Sequence, residues 1–282
     1  MTKKAVLIND LSGLGKCSLT ASIAVLSVMG VQPCPIPTVV LTNQTDYPDF
    51  YCDDFTDKLP NYITQWKALD FQPDGIYTGF LSNEKQVDFI LDFIKKFTKP
   101  DMLIMVDPVM GDNGKRYSLC TDTLAEKMKM LVSKAHIITP NLTECCILCD
   151  CDYDKVISHK EDENYLETIK ALGNKLIELY NVKAAVITGI VQNIAGTPQV
   201  CNMAVTREET FTTKSPMIGE SYSGTGDLFS SVVFAGLLRD EDLKTTINKA
   251  VSFIEASLKD TVNVVTDRND GIEFEKHLSM LL

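Results

Sequence analysis

Ser221-Tyr222-Ser223-Gly224-Thr225-Gly226-Asp227 runs directly into the apolar stretch Leu228 to Leu238. A glycine turn feeding a helix leaves several backbone N–H groups without intrahelical partners and aims them, with the positive end of the helix, at one spot. An anion such as phosphate can bind there without any lysine. Asp227 falls in the first helical turn, where the dipole favours a carboxylate that can remain ionised as a base. A plainer reading stands beside this one: Gly224 and Gly226 shape a turn and Asp227 only caps the helix, since Gly-x-Gly-Asp is common.

Upstream of this junction, short β-rich runs alternate with longer helical patterns. Strands are expected at Ala5 to Asn9, Thr38 to Leu41, Gly75 to Thr78, Leu103 to Asp107, His136 to Thr139 and Ala184 to Thr188. Several are continuously apolar, as buried parallel strands are. Val87, Ile90, Leu91 and Ile94 keep helical spacing, and so do Leu243, Ile247, Ala250, Val251, Ile254 and Leu258. Gln199 to Val205 and Glu209 to Thr213 fit a late hairpin, and Asp150 to Asn164 reads as the longest loop. The expected fold is α/β, a doubly wound, mostly parallel central sheet flanked by helices, with residues 1–282 as a single domain.

In such a sheet, ligands gather outside the carboxyl ends of the strands. The unusual polar residues fall there: Asn9 and Asp10, Asn43 to Tyr47, Thr78 to Phe80, Asp107 to Asp112, Thr139 to Glu144, and Thr188 with Gly189.

The 282 residues are 45% hydrophobic and 23% charged, ordinary globular usage that excludes disordered and fibrous classes. With 27 Lys+Arg against 38 Asp+Glu, the net charge of −11 disfavours nucleic acid and anionic membrane as partners. Any phosphate-bearing ligand needs a local device, which the Gly224 turn supplies. Ala5 to Ile8 is too short an apolar run for a signal or a membrane span, and nine cysteines suit a reducing compartment, so a cytoplasmic location is expected.

Gly224-Thr225-Gly226-Asp227, preceded in order by Asp107-Pro108-Val109-Met110-Gly111-Asp112 and Thr139-Pro140-Asn141-Leu142-Thr143-Glu144, resembles the vitamin-kinase branch of the ribokinase superfamily. Asn43-Gln44-Thr45-Asp46-Tyr47 and Thr78-Gly79-Phe80 resemble the substrate side of pyridoxal/pyridoxamine (vitamin B6) kinases. The resemblance runs from about residue 5 to 258. It implies a ribokinase-like enzyme that moves the γ-phosphoryl of ATP to the 5′-hydroxymethyl group of pyridoxal, pyridoxamine or pyridoxine, with a homodimer as the expected assembly. Asp227 is then the general base, and Gly224, Thr225 and Gly226 form the anion hole. Asp10, Thr45, Phe80 and Tyr117 are the implied substrate contacts. Asp107, Thr139, Asn141, Glu144 and Thr188 are the implied ATP side, with Asp107 and Glu144 holding Mg²⁺ through water. A monovalent cation is a further implied cofactor.

Two features point toward different substrates. Asp10 stands where B6 kinases carry serine and where the related hydroxymethylpyrimidine kinases are familiar with aspartate. Asp227 stands where those pyrimidine kinases usually carry cysteine, which favours a B6 compound. Hydroxymethylpyrimidine kinase is the alternative, and a non-catalytic ligand-binding protein on the same fold is a second one. Tyr117 lies in the polar segment after Gly114-Lys115-Arg116, long enough for a mobile flap over the site or for a solvated loop.

Two local patterns invite other chemistry and fail on spacing. Gly13-Leu14-Gly15-Lys16-Cys17-Ser18 would need glycine at Asp10 and a hydroxyl at Cys17 to be a P-loop, and glycine at Ser18 to be a dinucleotide fingerprint. Cys145, Cys146, Cys149 and Cys151 lack the paired, well-separated knuckles of structural zinc, so reduced thiols are expected.

Overall fold

The computed structural model describes residues 1–194, 196–264 and 267–282. It forms two compact units, Met1–Leu103 with Ile218–Leu282, and Ile104–Met217. The first unit opens with β1 (Lys4–Ser12), α1 (Ser18–Val28), β2 (Gln32–Leu41), β3 (Cys52–Asp54), α2 (Pro60–Ala68), β4 (Gly75–Thr78) and α3 (Glu84–Phe97). The second carries β5 (Leu103–Val106) from Ile104 onward, β6 (Gly111–Asp112), β7 (Lys115–Arg116), α4 (Asp122–Val132), β8 (Ile137–Ile138), α5 (Leu142–Leu148), α6 (Tyr153–Ile157) and α7 (Tyr165–Tyr180). It ends with β9 (Ala184–Ile194), β10 (Thr197–Thr206) and β11 (Thr210–Pro216). The chain then returns to the first unit with α8 (Thr225–Leu238), α9 (Leu243–Thr261) and two 3₁₀ segments, Arg268–Asp270 and Glu275–Leu281.

In the first unit β1 lies between β2 and β4, parallel to both, and β3 adds antiparallel to β2. Ala5 to Ile8 are fully buried, which explains why this strand reads as an unbroken apolar run. Helices α1 and α8 meet through the buried Ser22 and Ser231 hydroxyls, 2.9 Å apart. Gly236 lets α8 approach α9, since a Cβ there would lie 2.3 Å from Thr246. In the second unit β5, β8 and β9 are parallel, and β10 and β11 continue antiparallel. The mostly parallel α/β class expected from the sequence is the class observed, and the late hairpin is β10 with β11. No helix among the described residues is long and apolar enough to cross a membrane.

Several boundaries differ from expectation. The reading of residues 150–164 as one loop is corrected by α6, a five-residue helix capped by the Asp152 carboxylate, which accepts from the Asp154 and Lys155 N–H groups. The segment before Tyr117 is a hairpin, β6 with β7, turning through Asn113 and Gly114, both at positive φ as such tight turns require. Strand β2 begins six residues before Thr38, because Pro33, Pro35 and Pro37 alternate along it. Their missing N–H groups therefore face one side, away from β1, in a stretch that β3 does not reach.

Candidate active site

Within the first unit, the carboxyl ends of β1 and β4 and the start of α8 converge on Asp227. Gly224 is the N-cap of α8 at φ +79, and a Cβ there would lie 2.1 Å from the Lys16 carbonyl oxygen, so only glycine fits. A Cβ on Gly226 would meet nothing within 4 Å, and the residue is exposed. The space beside the first turn of α8 is therefore open at Gly226, where an anion site would need it. Thr225 turns its hydroxyl back to the Tyr222 carbonyl, 3.1 Å away, which fixes the turn.

The Asp227 carboxylate accepts the Asn9 side-chain amide at 3.0 Å and a backbone N–H from Ser18. It remains partly accessible to solvent. Its surroundings desolvate it, and burial, with the nearby charge of Asp10, pushes its pKa up to about 6. Such a carboxylate is ionised at neutral pH yet more basic than an ordinary one, which is what a general base requires.

Asn9, 1% exposed, is the organiser of this corner. Its Oδ1 accepts the Asp10 N–H at 3.0 Å and the Phe80 N–H at 2.7 Å, while its Nδ2 donates to Asp227. Gly79 makes room for it, because a Cβ there would come within 2.4 Å of that Nδ2. The sequence reading placed Asn9 at the edge and gave it no role. Its signal was a buried-strand pattern ending on an amide. Asp10 is buried and raised in pKa by that burial, opposed by the hydroxyls of Ser18 and of Ser12, which donates at 2.8 Å. Ser18, at φ +51, thus touches both acids. Thr45 is exposed, next to the buried Gln44, and Phe80 is half-buried.

The second unit assembles the other set. Asn141 caps α5 in a reciprocal box: its Oδ1 accepts the Glu144 N–H at 3.0 Å, and Glu144 Oε2 accepts the Asn141 N–H at 2.8 Å. Glu144 Oε1 accepts the Met110 N–H at 3.1 Å, and Asn141 Nδ2 donates to the Gly111 carbonyl at 2.8 Å. Met110 and the β6–β7 hairpin are therefore fastened to the start of α5. Burial raises the pKa of Glu144 well above the carboxylate range, and the charge of Asp107 adds to it. Thr139 is buried, and Thr188 on β9 is bridged to Asn141 and donates its N–H to the Pro140 carbonyl at 3.0 Å. Tyr117 is 42% exposed, with its N–H on the Met110 carbonyl; it belongs to the second unit, whereas Asp10, Thr45 and Phe80 belong to the first. Arg116 pairs with Asp122 at 2.5 Å.

Among the described residues, no group of three or more His, Cys, Asp or Glu side chains is placed to cage a metal. Cys145, Cys146 and Cys149 are buried in and beside α5. The Gly13–Ser18 turn packs its Lys16 against Glu273 and Glu275, at 2.8 and 2.9 Å, so that lysine is committed to an ion-pair network.

The family model described as phosphomethylpyrimidine kinase matches residues 16–270. The chain belongs to this kinase family. It is a phosphotransferase, and its relatives include B6 kinases. A pyridoxine/pyridoxal/pyridoxamine kinase of Bordetella avium is 27% identical over 243 residues, covering 83% of this chain and 77% of that protein. A crystal structure from Bacteroides thetaiotaomicron, described as a phosphomethylpyrimidine kinase in an orthorhombic form with pyridoxal, is 36% identical. It superposes with a TM-score of 0.92, covering 100% of this chain and 96% of that one. Pyridoxal kinase of Leishmania donovani, solved with ADP and pyridoxamine, shares the fold at a TM-score of 0.82 and 21% identity, covering 99% and 95% of the two chains.

Proposed function

We propose that this kinase uses ATP to phosphorylate the 5′-hydroxymethyl group of a vitamin B6 compound, with Asp227 as general base. The observation that carries the reading is the Asp227 carboxylate, raised to about 6 and held by Asn9 and Ser18, at the start of a helix whose glycine turn is open to an anion. Asp227 would accept the proton of the substrate hydroxyl as that hydroxyl's oxygen bonds to the γ-phosphorus of ATP, and the bond from that phosphorus to the β,γ-bridging oxygen would break to release ADP. The N–H groups at Gly224, Thr225 and Gly226 would stabilise the charge on the transferring phosphoryl group. Asp10, Thr45, Phe80 and Tyr117 are assigned to the acceptor, and Asp107, Thr139, Asn141, Glu144 and Thr188 to the nucleotide.

Mg²⁺ fits the second set in one way. Both oxygens of Glu144 already accept backbone N–H groups, so Glu144 and Asp107 would hold a hydrated ion through its waters, and the ion would relieve the repulsion between these neighbouring carboxylates. When bound it would neutralise charge on the phosphates.

One observation favours a second acceptor. Buried Asp10 offers a carboxylate where B6 kinases have a hydroxyl, and it suits the amino group of a hydroxymethylpyrimidine. Product formation from each acceptor, with ATP and Mg²⁺, tests the two readings; B6 phosphate is the expected product, and turnover of the pyrimidine alone would overturn the B6 assignment.

A further inference from the structure

The segment after α9 plays no part in the reading above, and it touches both halves of the first unit's site. Within the 3₁₀ turn Arg268–Asp270, the Arg268 carbonyl accepts the Ser223 N–H at 3.1 Å, directly before the glycine turn. The Asn269 carbonyl accepts Gln44 Nε2 at 3.3 Å, and Asn269 Nδ2 donates to the Asp46 carbonyl at 3.2 Å. Asp270 accepts the Tyr47 hydroxyl. Three consecutive residues thus fasten the acceptor loop Asn43–Tyr47 on one side and the phosphate turn on the other. Gly271, at φ +82, lets the segment lie against Lys16 and Ser223; a Cβ there would stand 2.9 Å from Lys16 Cβ and 3.2 Å from the Ser223 carbonyl oxygen.

The loop being held is internally consistent with such a role. Gln44 is 5% exposed, and its Oε1 accepts the Asp46 N–H at 2.8 Å while its own N–H donates to Leu14 at 3.0 Å. A buried amide with its groups engaged fixes backbone position, because each lost partner leaves a desolvated polar atom. Exposed Thr45 is carried between Gln44 and Asp46 and has its place set by them.

We infer that Arg268–Asp270 is a positioning strap, with Asp270 acting through Tyr47 to set the acceptor loop relative to the phosphate turn. The inference rests on the kinase reading for its consequence, since a fixed acceptor loop matters to the KM of the acceptor and not to that of ATP. Loss of a hydrogen bond to a charged acceptor costs on the order of tenfold or more in an equilibrium. Tyr47→Phe and Asp270→Ala are therefore each expected to raise the acceptor KM about tenfold, with kcat and the ATP KM within about twofold. Because the two groups form one contact, the double variant is expected to be no worse than either single. Asp270→Asn, which keeps a carbonyl acceptor, is expected to restore most of the affinity. Additive losses in the double variant, or an unchanged acceptor KM, would overturn the strap.

Hydrogen exchange keeps this test apart from the kinase reading. In Asp270→Ala the Asp46 and Tyr47 amides, bonded to Gln44, are expected to exchange several-fold faster, while amides of β4 do not change. Unchanged exchange at both amides refutes the strap whatever the enzyme phosphorylates, and absence of kinase activity in the unaltered protein refutes the kinase reading alone.

Discussion

Replacing Asp227 by asparagine is expected to raise stability, because the carboxylate is held where its charge is costly, and to lower turnover, because the base is lost. The displacement from an ordinary 3.8 to about 6, at about 1.36 kcal/mol per pH unit, corresponds to roughly 3 kcal/mol. Solvent access to part of the side chain screens this to about 1–2 kcal/mol. The sign follows from linkage. The folded state binds the proton more tightly than the unfolded one, so the full stability is present below about pH 4 and is lost as pH rises through about 6. Urea denaturation of both proteins should therefore show Asp227→Asn more stable by about 1–2 kcal/mol at pH 7.5. The advantage should shrink toward zero at about pH 4. In the same preparation kcat should fall by about 10²- to 10⁴-fold, the range of general-base contributions. In the unaltered enzyme, kcat/KM for the acceptor should climb with pH through about 6 and reach only about a tenth of its plateau at pH 5. A variant that is less stable at pH 7.5 and turns over near the normal rate would refute both the strain on Asp227 and its assignment as base.

Further outcomes follow from neighbouring residues. Asn9→Ala removes a bond that lowers the Asp227 pKa, so the rising limb of the kcat/KM profile should move up by about one pH unit and kcat/KM at pH 7 should drop about twofold; an unmoved limb counts against the Asn9 assignment. Gly226→Ala should leave the urea midpoint nearly unchanged, since the Cβ enters open space, while lowering kcat about 10²-fold by obstructing the anion site. Gly224→Ala should instead destabilise by at least about 2 kcal/mol, because its Cβ meets the Lys16 carbonyl; equal stability of the two variants would contradict the turn geometry. Asn141→Ala loses the α5 cap and the tie to Gly111, so a loss of about 1–2 kcal/mol and a raised ATP KM with an unchanged acceptor KM are expected from melting and steady-state kinetics.

The sequence was most readable where burial imposes one residue type. Gly75–Thr78 is all buried and its boundaries are those read from the apolar run, and the buried Ala5–Ile8 marks β1. Reading failed where pairing, not burial, makes the strand. β9 continues past Thr188 to Ile194, through Gly189 at φ +65, because its outer half is bonded to β10 and needs no continuous apolar run. His136–Thr139 shortens to Ile137–Ile138, although the His136 N–H still donates to the Ile104 carbonyl at 2.8 Å and the Thr139 N–H to the Val106 carbonyl at 3.2 Å.

Within each unit, the candidate residues were legible as polar residues at strand ends, because parallel strands direct their carboxyl ends the same way. What the chain order could not express was which atoms are tied together. Asn9 and Asp227 are 218 residues apart and meet at 3.0 Å. Glu144, read as a partner for Mg²⁺, gives both oxygens to backbone N–H groups, a capping role that the spacing Asn141-x-x-Glu144 signals by itself. The residues Arg268–Asp270 lie beyond the last periodic helix, where no pattern marked them.

The most direct test of the central claim is ATP- and Mg²⁺-dependent product formation on pyridoxal, pyridoxine, pyridoxamine and hydroxymethylpyrimidine, measured side by side with Asp227→Asn as the blank. A B6 5′-phosphate is expected to form fastest, and at least about 10²-fold more slowly in the blank. Phosphorylation of the pyrimidine alone, or of none of the four, would contradict it.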